Sequence, residues 1–221
     1  MATKRTSDGS DGGISKRLKS DYNATIIVLV GPEEARFTVH QDLICRRSDF
    51  FAKACSGDWR ETRERTVRLA TDARLFQIYM ESLYCPSTNI YADMVGALRP
   101  TARTTGEVDK NEVVSEMCRM WGLGDFLQDH VSQAAVVASL EKYAGEPPSG
   151  PNVEWVANNT SAGSPLRTWL LDALAPHLNS STTTAVLLDE LTGKLPADFL
   201  MALLKVRVED PVPRFKRSYV F

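Results

Sequence analysis

The sequence predicts an α+β fold, and three patterns support this class. A β-branched run over residues 25–30 and an alternating segment over 36–39 are separated by the turn residues Gly31 and Pro32, which predicts a β-hairpin. Residues 66–69 alternate between polar and apolar side chains and predict a third strand. Most of the remaining chain has the apolar spacing of helices, so we expect a small sheet packed against several helices.

Length and composition indicate a globular protein of one domain with appendages. The chain has 221 residues, of which 43% are hydrophobic and 24% are charged. It has no run of about 18 apolar residues and no apolar segment near its start, so we expect neither a membrane segment nor a secretory signal. The net charge of −2 gives no general attraction to nucleic acid. The four cysteines include no C-x-x-C pair, and we expect reduced thiols in an intracellular protein of the nucleus or cytoplasm.

Residues 1–20 are predicted to be a disordered basic tail, because they contain too few apolar side chains to fold. Two basic clusters separated by ten residues match the bipartite pattern of a nuclear-import signal. Two cationic clusters on a flexible spacer can occupy two acidic grooves of an import receptor at the same time, which raises the affinity. The basic residues of this predicted signal are Lys4, Arg5, Lys16, Arg17 and Lys19.

Two short helices are predicted after the hairpin, each beginning at a residue that can cap it. Asp42 is expected to cap the first helix and Ser48 the second, which should end at Ser56 and Gly57. After the third strand, Asp72 is expected to cap a helix whose apolar residues form a stripe facing the core. The stripe consists of Phe76, Tyr79, Met80, Leu83 and Tyr84.

Residues 86–112 interrupt this pattern with proline, glycine and threonine, and are predicted to be an insertion loop within a domain that spans residues 21–140. Helical spacing then returns in a helix that we expect to end at Gly122. Beyond a break rich in glycine and proline, residues 150–208 are predicted to form a C-terminal helical extension, followed by a tail over residues 209–221.

The apolar positions of these elements are expected to share one hydrophobic core. In the helix after Gly122, this expectation comes from the helical spacing of Leu127, Val131, Ala134 and Ala138. The predicted core residues are Phe37, Val39, Leu43, Phe50, Phe51, Leu69, Phe76, Leu83, Leu127 and Val131.

One stretch of the chain resembles a known family. Residues 37–45 read F-T-V-H-Q-D-L-I-C and residues 47–51 read R-S-D-F-F, which resembles the pattern F-x-V-H-K-x-L-L-C-x-R-S-x-F-F of the BTB/POZ family. Residues 57–61, G-D-W-R-E, resemble the G-x-W-x-E of its fungal branch, and residues 163–167, G-S-P-L-R, are similar to an element after the fungal core. The motif positions are Phe37, Val39, His40, Asp42, Leu43, Ser48, Phe50 and Phe51.

The resemblance implies a BTB/POZ fold, a sheet of about three to four strands flanked by a helical cluster, here with extra C-terminal helices. Domains of this family bind proteins: they homodimerise, act as scaffolds, or serve as substrate adaptors of cullin-type ubiquitin ligases. The family has no catalytic activity and no cofactor. The chain is therefore expected to be a non-enzymatic protein–protein interaction module, with a second copy, a cullin scaffold or another protein as its partner.

Two positions depart from the family pattern in the groove of its dimers. Many members carry an acid early in the first strand and a base after the motif histidine, and these two groups lie close together. Thr25 and Gln41 stand at these positions here, so a salt-bridged groove is not expected. Residues 1–20 also lack the helix and strand through which some family dimers are swapped. The insertion at 86–112 lies where adaptor members contact the cullin.

No catalytic, cofactor-binding or metal-binding residue is predicted. The histidines His40, His130 and His177 include no short-spaced pair of the kind that metal sites use. The alternative from another class is a small cytosolic thiol- or histidine-dependent enzyme that uses Cys45 or His40. Cys45 and Cys55 both fall on predicted apolar helix faces, where buried and inert thiols are the common case, so the interaction module is the preferred hypothesis.

Overall fold

The computed structural model describes residues 23–56, 65–85, 109–141, 147–178 and 189–209. The predicted import signal in residues 1–20 lies outside these ranges, as do residues 86–108 of the predicted insertion and the tail from residue 210 onward. The G-x-W-x-E segment at 57–61 also lies outside them. The motif positions from Phe37 to Phe51 are all described.

A three-stranded mixed sheet is formed by β1 (Thr25–Val30), β2 (Ala35–His40) and β3 (Thr66–Leu69). The first two strands form the predicted antiparallel hairpin, and β3 pairs parallel with β1, which gives the order β2-β1-β3. Gly31 in the hairpin turn has a φ of +72°, and a Cβ there would lie 3.1 Å from the Thr71 carbonyl oxygen, so glycine suits this position. Alternate residues of β1 are buried, which directs one face of the sheet into the core. The predicted α+β class is confirmed.

Helices make up most of the remaining described chain. They are α1 (Gln41–Arg47), α2 (Asp49–Cys55), α3 (Ala73–Tyr84), α4 (Lys110–Phe126), α5 (His130–Leu140), α6 (Gly150–Asn159), α7 (Pro165–Leu174) and α8 (Ala197–Glu209). The last three lie in the segment 150–208 that was expected to be helical beyond the glycine- and proline-rich break, except that α8 continues one residue further, to Glu209. Among the helices described, none combines the length and the apolar composition that crossing a membrane requires.

The short helices α1 and α2 follow β2 directly, and only one of their predicted caps is correct. Ser48 caps α2, and its Oγ accepts a hydrogen bond from the Phe51 amide at 3.2 Å. Asp42 does not cap α1, because this helix begins two residues earlier than predicted, after His40, which makes no side-chain cap. The Asp42 carboxylate lies in the first turn and pairs with Arg46 at 3.6 Å, a favourable place for a negative charge.

The helix α4 is longer than predicted at both ends. It begins at Lys110, after the capping residue Asp109, so the last residues of the predicted insertion are helical. It also continues through Gly122, where it was expected to end, as far as Phe126. A Cβ at Gly122 would lie 3.0 Å from the Trp155 ring, so this glycine permits a close contact between α4 and α6 and does not end the helix.

One hydrophobic core joins the sheet to the helices, and nine of its ten predicted members belong to it, Val131 being the exception. Val131 is 57% exposed. The prediction assumed one helical period from Leu127 onward, but α4 ends before that residue and Gln128 has a φ of +55°. The helix α5 therefore starts on a new axis and buries Val136, Val137 and Leu140. Phe37, Leu43 and Phe50 are partly buried against the core, and the remaining predicted core residues are buried.

A buried arginine joins α7 and α8. Arg167 in α7 is 3% exposed, and its Nη2 lies 2.7 Å from Oδ2 of Asp198 in α8. Its Nη1 donates to the Thr160 carbonyl oxygen at 3.2 Å, and its guanidinium carbon lies 5.0 Å from the centroid of the Phe199 ring. A buried charge is tolerated only with such partners, so Arg167 fixes the position of α8 against α7.

Candidate interaction surface

The two predicted groove positions meet at one end of the sheet. Thr25, the first residue of β1, is the register partner of His40, the last residue of β2. The Gln41 amide donates to the carbonyl oxygen of Ala24 at 2.9 Å, so the start of α1 is attached to the start of β1. Thr25 and Gln41, expected to be close only from the family resemblance, are therefore neighbours at the strand-to-helix corner.

Tyr84, at the end of α3, belongs to the same place. Its hydroxyl oxygen lies 2.9 Å from Nδ1 of His40 and accepts a hydrogen bond from the His40 amide at 3.3 Å. The two rings also make an edge contact, with centroids 5.8 Å apart. Tyr84 is 46% exposed, which corrects its predicted place in the core stripe, because α3 ends here and the phenol turns toward His40. We name the surface formed by Thr25, His40, Gln41 and Tyr84 the corner surface.

The corner surface is rich in hydrogen-bonding groups and has no carboxylate, ammonium or guanidinium group among its four residues. Thr25, His40 and Gln41 are half-buried, so their side chains are partly held by the fold and partly open to solvent. On the adjoining helix α1, the charges of Asp42 and Arg46 offset each other in an ion pair. The surface thus presents donors, acceptors and aromatic rings without a carboxylate, ammonium or guanidinium group of its own.

Other motif residues anchor α1 and α2 to the turn between α4 and α5. The buried Ser48 Oγ donates to the Leu127 carbonyl oxygen at 2.5 Å while it accepts from the Phe51 amide. Arg47 Nη2 lies 3.2 Å from Oδ2 of Asp129, a fully buried residue that caps α5. These contacts join residues that are 79 to 82 positions apart in the chain. The motif therefore contributes a rigid support for α1, on which Gln41 lies.

Most of the described histidines and cysteines are held by contacts within the fold or are buried. His40 contacts the Tyr84 phenol, and Nδ1 of His130 lies 3.0 Å from Oε1 of Gln133. Burial raises the pKa of the Cys118 thiol to about 12, so this thiol stays protonated at neutral pH. Within the ranges given above, no three His, Cys, Asp or Glu side chains are placed to hold a metal ion. The corner surface differs from these sites in offering partly exposed hydrogen-bond donors and acceptors.

Large apolar side chains are also exposed at two other places in the described chain. One is the turn between α4 and α5, and the other is the outer face of α8; neither contains a motif position. The residues are Phe126 and Val131 at the turn, and Leu200, Met201 and Leu204 on α8.

No protein-family model matches the chain, and a search of curated proteins finds no match. Function is therefore inferred from the geometry and chemistry of the chain itself.

Proposed function

We propose that the chain is a non-enzymatic protein–protein interaction module of the BTB/POZ type that acts as a scaffold or adaptor. The observation that carries this proposal is the order of the elements around the motif. A hairpin leads into two short helices, the next strand of the described chain pairs parallel with β1, and a core-facing helix follows. The motif from Phe37 to Phe51 spans the junction of β2, α1 and α2. Motif and topology together favour this fold over other α+β arrangements.

The corner surface is the contact site in this proposal. Its aromatic residue, Tyr84, is about half exposed and is held in place by His40. Tyrosine combines apolar area with a polar group, and is enriched among the residues that dominate binding energy at interfaces. Because the ends of β1, β2 and α3 already fix these side chains, a partner loses little binding energy in ordering them.

The partner that we propose for this surface is a second copy of the chain. In a two-fold symmetric dimer, a residue near the axis faces its own copy, so a charged residue there repels itself. The corner surface avoids this repulsion, since Thr25 and Gln41 are neutral. The Gln41 amide group both donates and accepts, and can therefore pair with the same group of the second copy.

Sedimentation velocity of the full chain over a range of concentrations tests this proposal. We expect a reversible dimer, and Tyr84→Glu should weaken its association about tenfold or more, because it places like charges on both sides of the contact. Val131→Glu is the matched control, since Val131 is similarly exposed but lies away from the corner. A dimer unaffected by Tyr84→Glu would contradict the proposed surface, and a monomer at every concentration would contradict self-association.

The basic tail is proposed to direct nuclear import. Replacing Lys16, Arg17 and Lys19 with alanine should move a fusion that is too large to diffuse through nuclear pores from the nucleus to the cytoplasm, since each basic cluster raises the effective concentration of the other. Replacing Lys16 and Lys19 with arginine keeps the charge and should leave the fusion nuclear. Equal nuclear fluorescence of the alanine variant and the parent fusion would refute the signal.

A further inference from the structure

Two half-buried thiols lie together between α1 and α2. Cys45 Sγ lies 3.5 Å from the Phe51 carbonyl oxygen and donates a hydrogen bond to it. In an α-helix this carbonyl also accepts the amide of the residue four positions later, which is Cys55, the last residue of α2. The Cys45 sulfur is thereby directed to the turn that carries Cys55, which places the two thiols beside each other.

The contact makes the two thiols unequal. When Cys55 is ionised, the Cys45 S–H can turn from the Phe51 carbonyl to the Cys55 sulfur, and this hydrogen bond lowers the pKa of Cys55, although burial acts in the opposite direction. The pKa of Cys45 is raised, first by its hydrogen bond to Cys55, then by burial, by the charge of Cys55 and by Asp42. One thiol thus has more thiolate character while its neighbour keeps the proton, an arrangement that suits a nucleophile and a second, resolving thiol.

The other two cysteines differ from this pair in their exposure to solvent. Cys85, after the end of α3, is exposed, whereas Cys118 in α4 is buried. An exposed thiol can take up one substituent, and a buried thiol is out of reach of a reagent in the native state. Paired thiol chemistry is therefore expected at the contact between α1 and α2.

We propose that Cys45 and Cys55 form a dithiol modification site that reacts with low-molecular-weight disulfides of the glutathione type. The Cys55 thiolate attacks one sulfur of the disulfide, whose S–S bond breaks and releases one thiolate that takes a proton from water. Cys45 then loses its proton to solvent and attacks the Cys55 sulfur of the mixed disulfide, which releases the second thiolate. The two protein thiols are oxidised to the Cys45–Cys55 disulfide, and the small disulfide is reduced to two thiols.

Incubation of the folded full chain, carrying Cys85→Ser, with oxidised glutathione tests the site. Intact mass spectrometry should show the loss of two hydrogen atoms and no lasting adduct. Trypsin cuts at Arg46, Arg47 and Lys53, so the disulfide should appear as two peptides that separate on reduction. Cys45→Ser should instead accumulate a glutathione adduct on Cys55, and Cys55→Ser should react about tenfold more slowly than the parent.

Phenylarsine oxide, which binds two neighbouring thiols through one arsenic atom, gives a second readout that does not need a disulfide. The Cys85→Ser protein should bind one equivalent, both single variants at the pair should lose this binding, and Cys118→Ala should retain it. Equal oxidation or equal arsenic binding in the parent and in both single variants would overturn the site. Neither readout involves the corner surface or self-association, so failure here is distinct from failure of the proposed function.

Discussion

Phe51→Ala is expected to lower the free energy of unfolding by about 3–5 kcal/mol. The Phe51 ring is fully buried in the core and packs edge-on against Phe50, with ring centroids 5.3 Å apart. Alanine would leave a cavity between α2 and the rest of the core, because a close-packed interior relaxes only partly around a deleted ring. Urea denaturation of the full chain, followed by circular dichroism, measures the change.

Phe126→Ala is the matched control for this substitution. The Phe126 ring also contacts Phe50, with centroids 5.2 Å apart, but it is 57% exposed. Its removal should cost less than about 1 kcal/mol, since little apolar area returns to water. If both variants unfolded at the same urea concentration, the placement of Phe51 in the core would be wrong.

Asp129→Ala is expected to lower the free energy of unfolding by a similar amount, about 3–5 kcal/mol. The Asp129 carboxylate is fully buried, accepts the Ser132 amide at 2.9 Å and the Ser132 hydroxyl at 2.8 Å, and lies 3.2 Å from Arg47 Nη2. Its loss removes the cap of α5 and leaves the Arg47 guanidinium, which is only 17% exposed, without its counter-charge. Thermal and urea unfolding of the full chain both report this loss.

Two further substitutions separate the parts of this effect. Asp129→Asn keeps a side-chain oxygen for the cap but removes the negative charge. Its free energy of unfolding should therefore lie between those of the parent and Asp129→Ala. Asp42→Ala removes an exposed ion pair with Arg46 and should cost less than about 1 kcal/mol. An Asp129→Ala protein as stable as Asp42→Ala would show that the anchor between α1 and α5 is not formed.

Local signals explain which parts of the fold could be predicted from the sequence. Ser48 and Asp72 cap α2 and α3 as expected, because an N-cap and the amide it binds are only three residues apart. The hairpin was predictable for the same reason, since its turn and its β-branched strand are adjacent in the chain. Most of the core residues follow from the phase of these same elements.

Long-range contacts explain the errors. Gly122 was expected to end a helix, but the ring of Trp155, which lies in a different helix, requires the small residue there. Val131 was expected in the core, but the turn after α4 changes the direction of the chain and with it the buried face. Neither the identity of the contacting ring nor the angle of the turn is encoded within a few residues, so periodicity could not reveal them.

The candidate site was predictable only in part. Thr25 and Gln41 came from the family pattern, whereas Tyr84 joins them through a contact across 44 positions of sequence. One signal in the sequence could have located Tyr84. It is the last residue of the apolar stripe, and its hydroxyl needs a hydrogen-bond partner, which a side chain at the end of a helix can find beyond the core. The contact between Cys45 and Cys55 depends on how α1 and α2 turn at Ser48, which their apolar spacing does not specify.

Photocrosslinking of the purified full chain tests the interaction module most directly, because it identifies the residues in contact. A photoreactive phenylalanine analogue at position 84 should produce a covalent dimer, with position 84 of one copy joined to residues 24–47 of the other. The same analogue in place of Val131, which is similarly exposed, should leave the chain monomeric on denaturing gels. Covalent dimers from position 131 and none from position 84 would contradict the corner surface as the site of self-association.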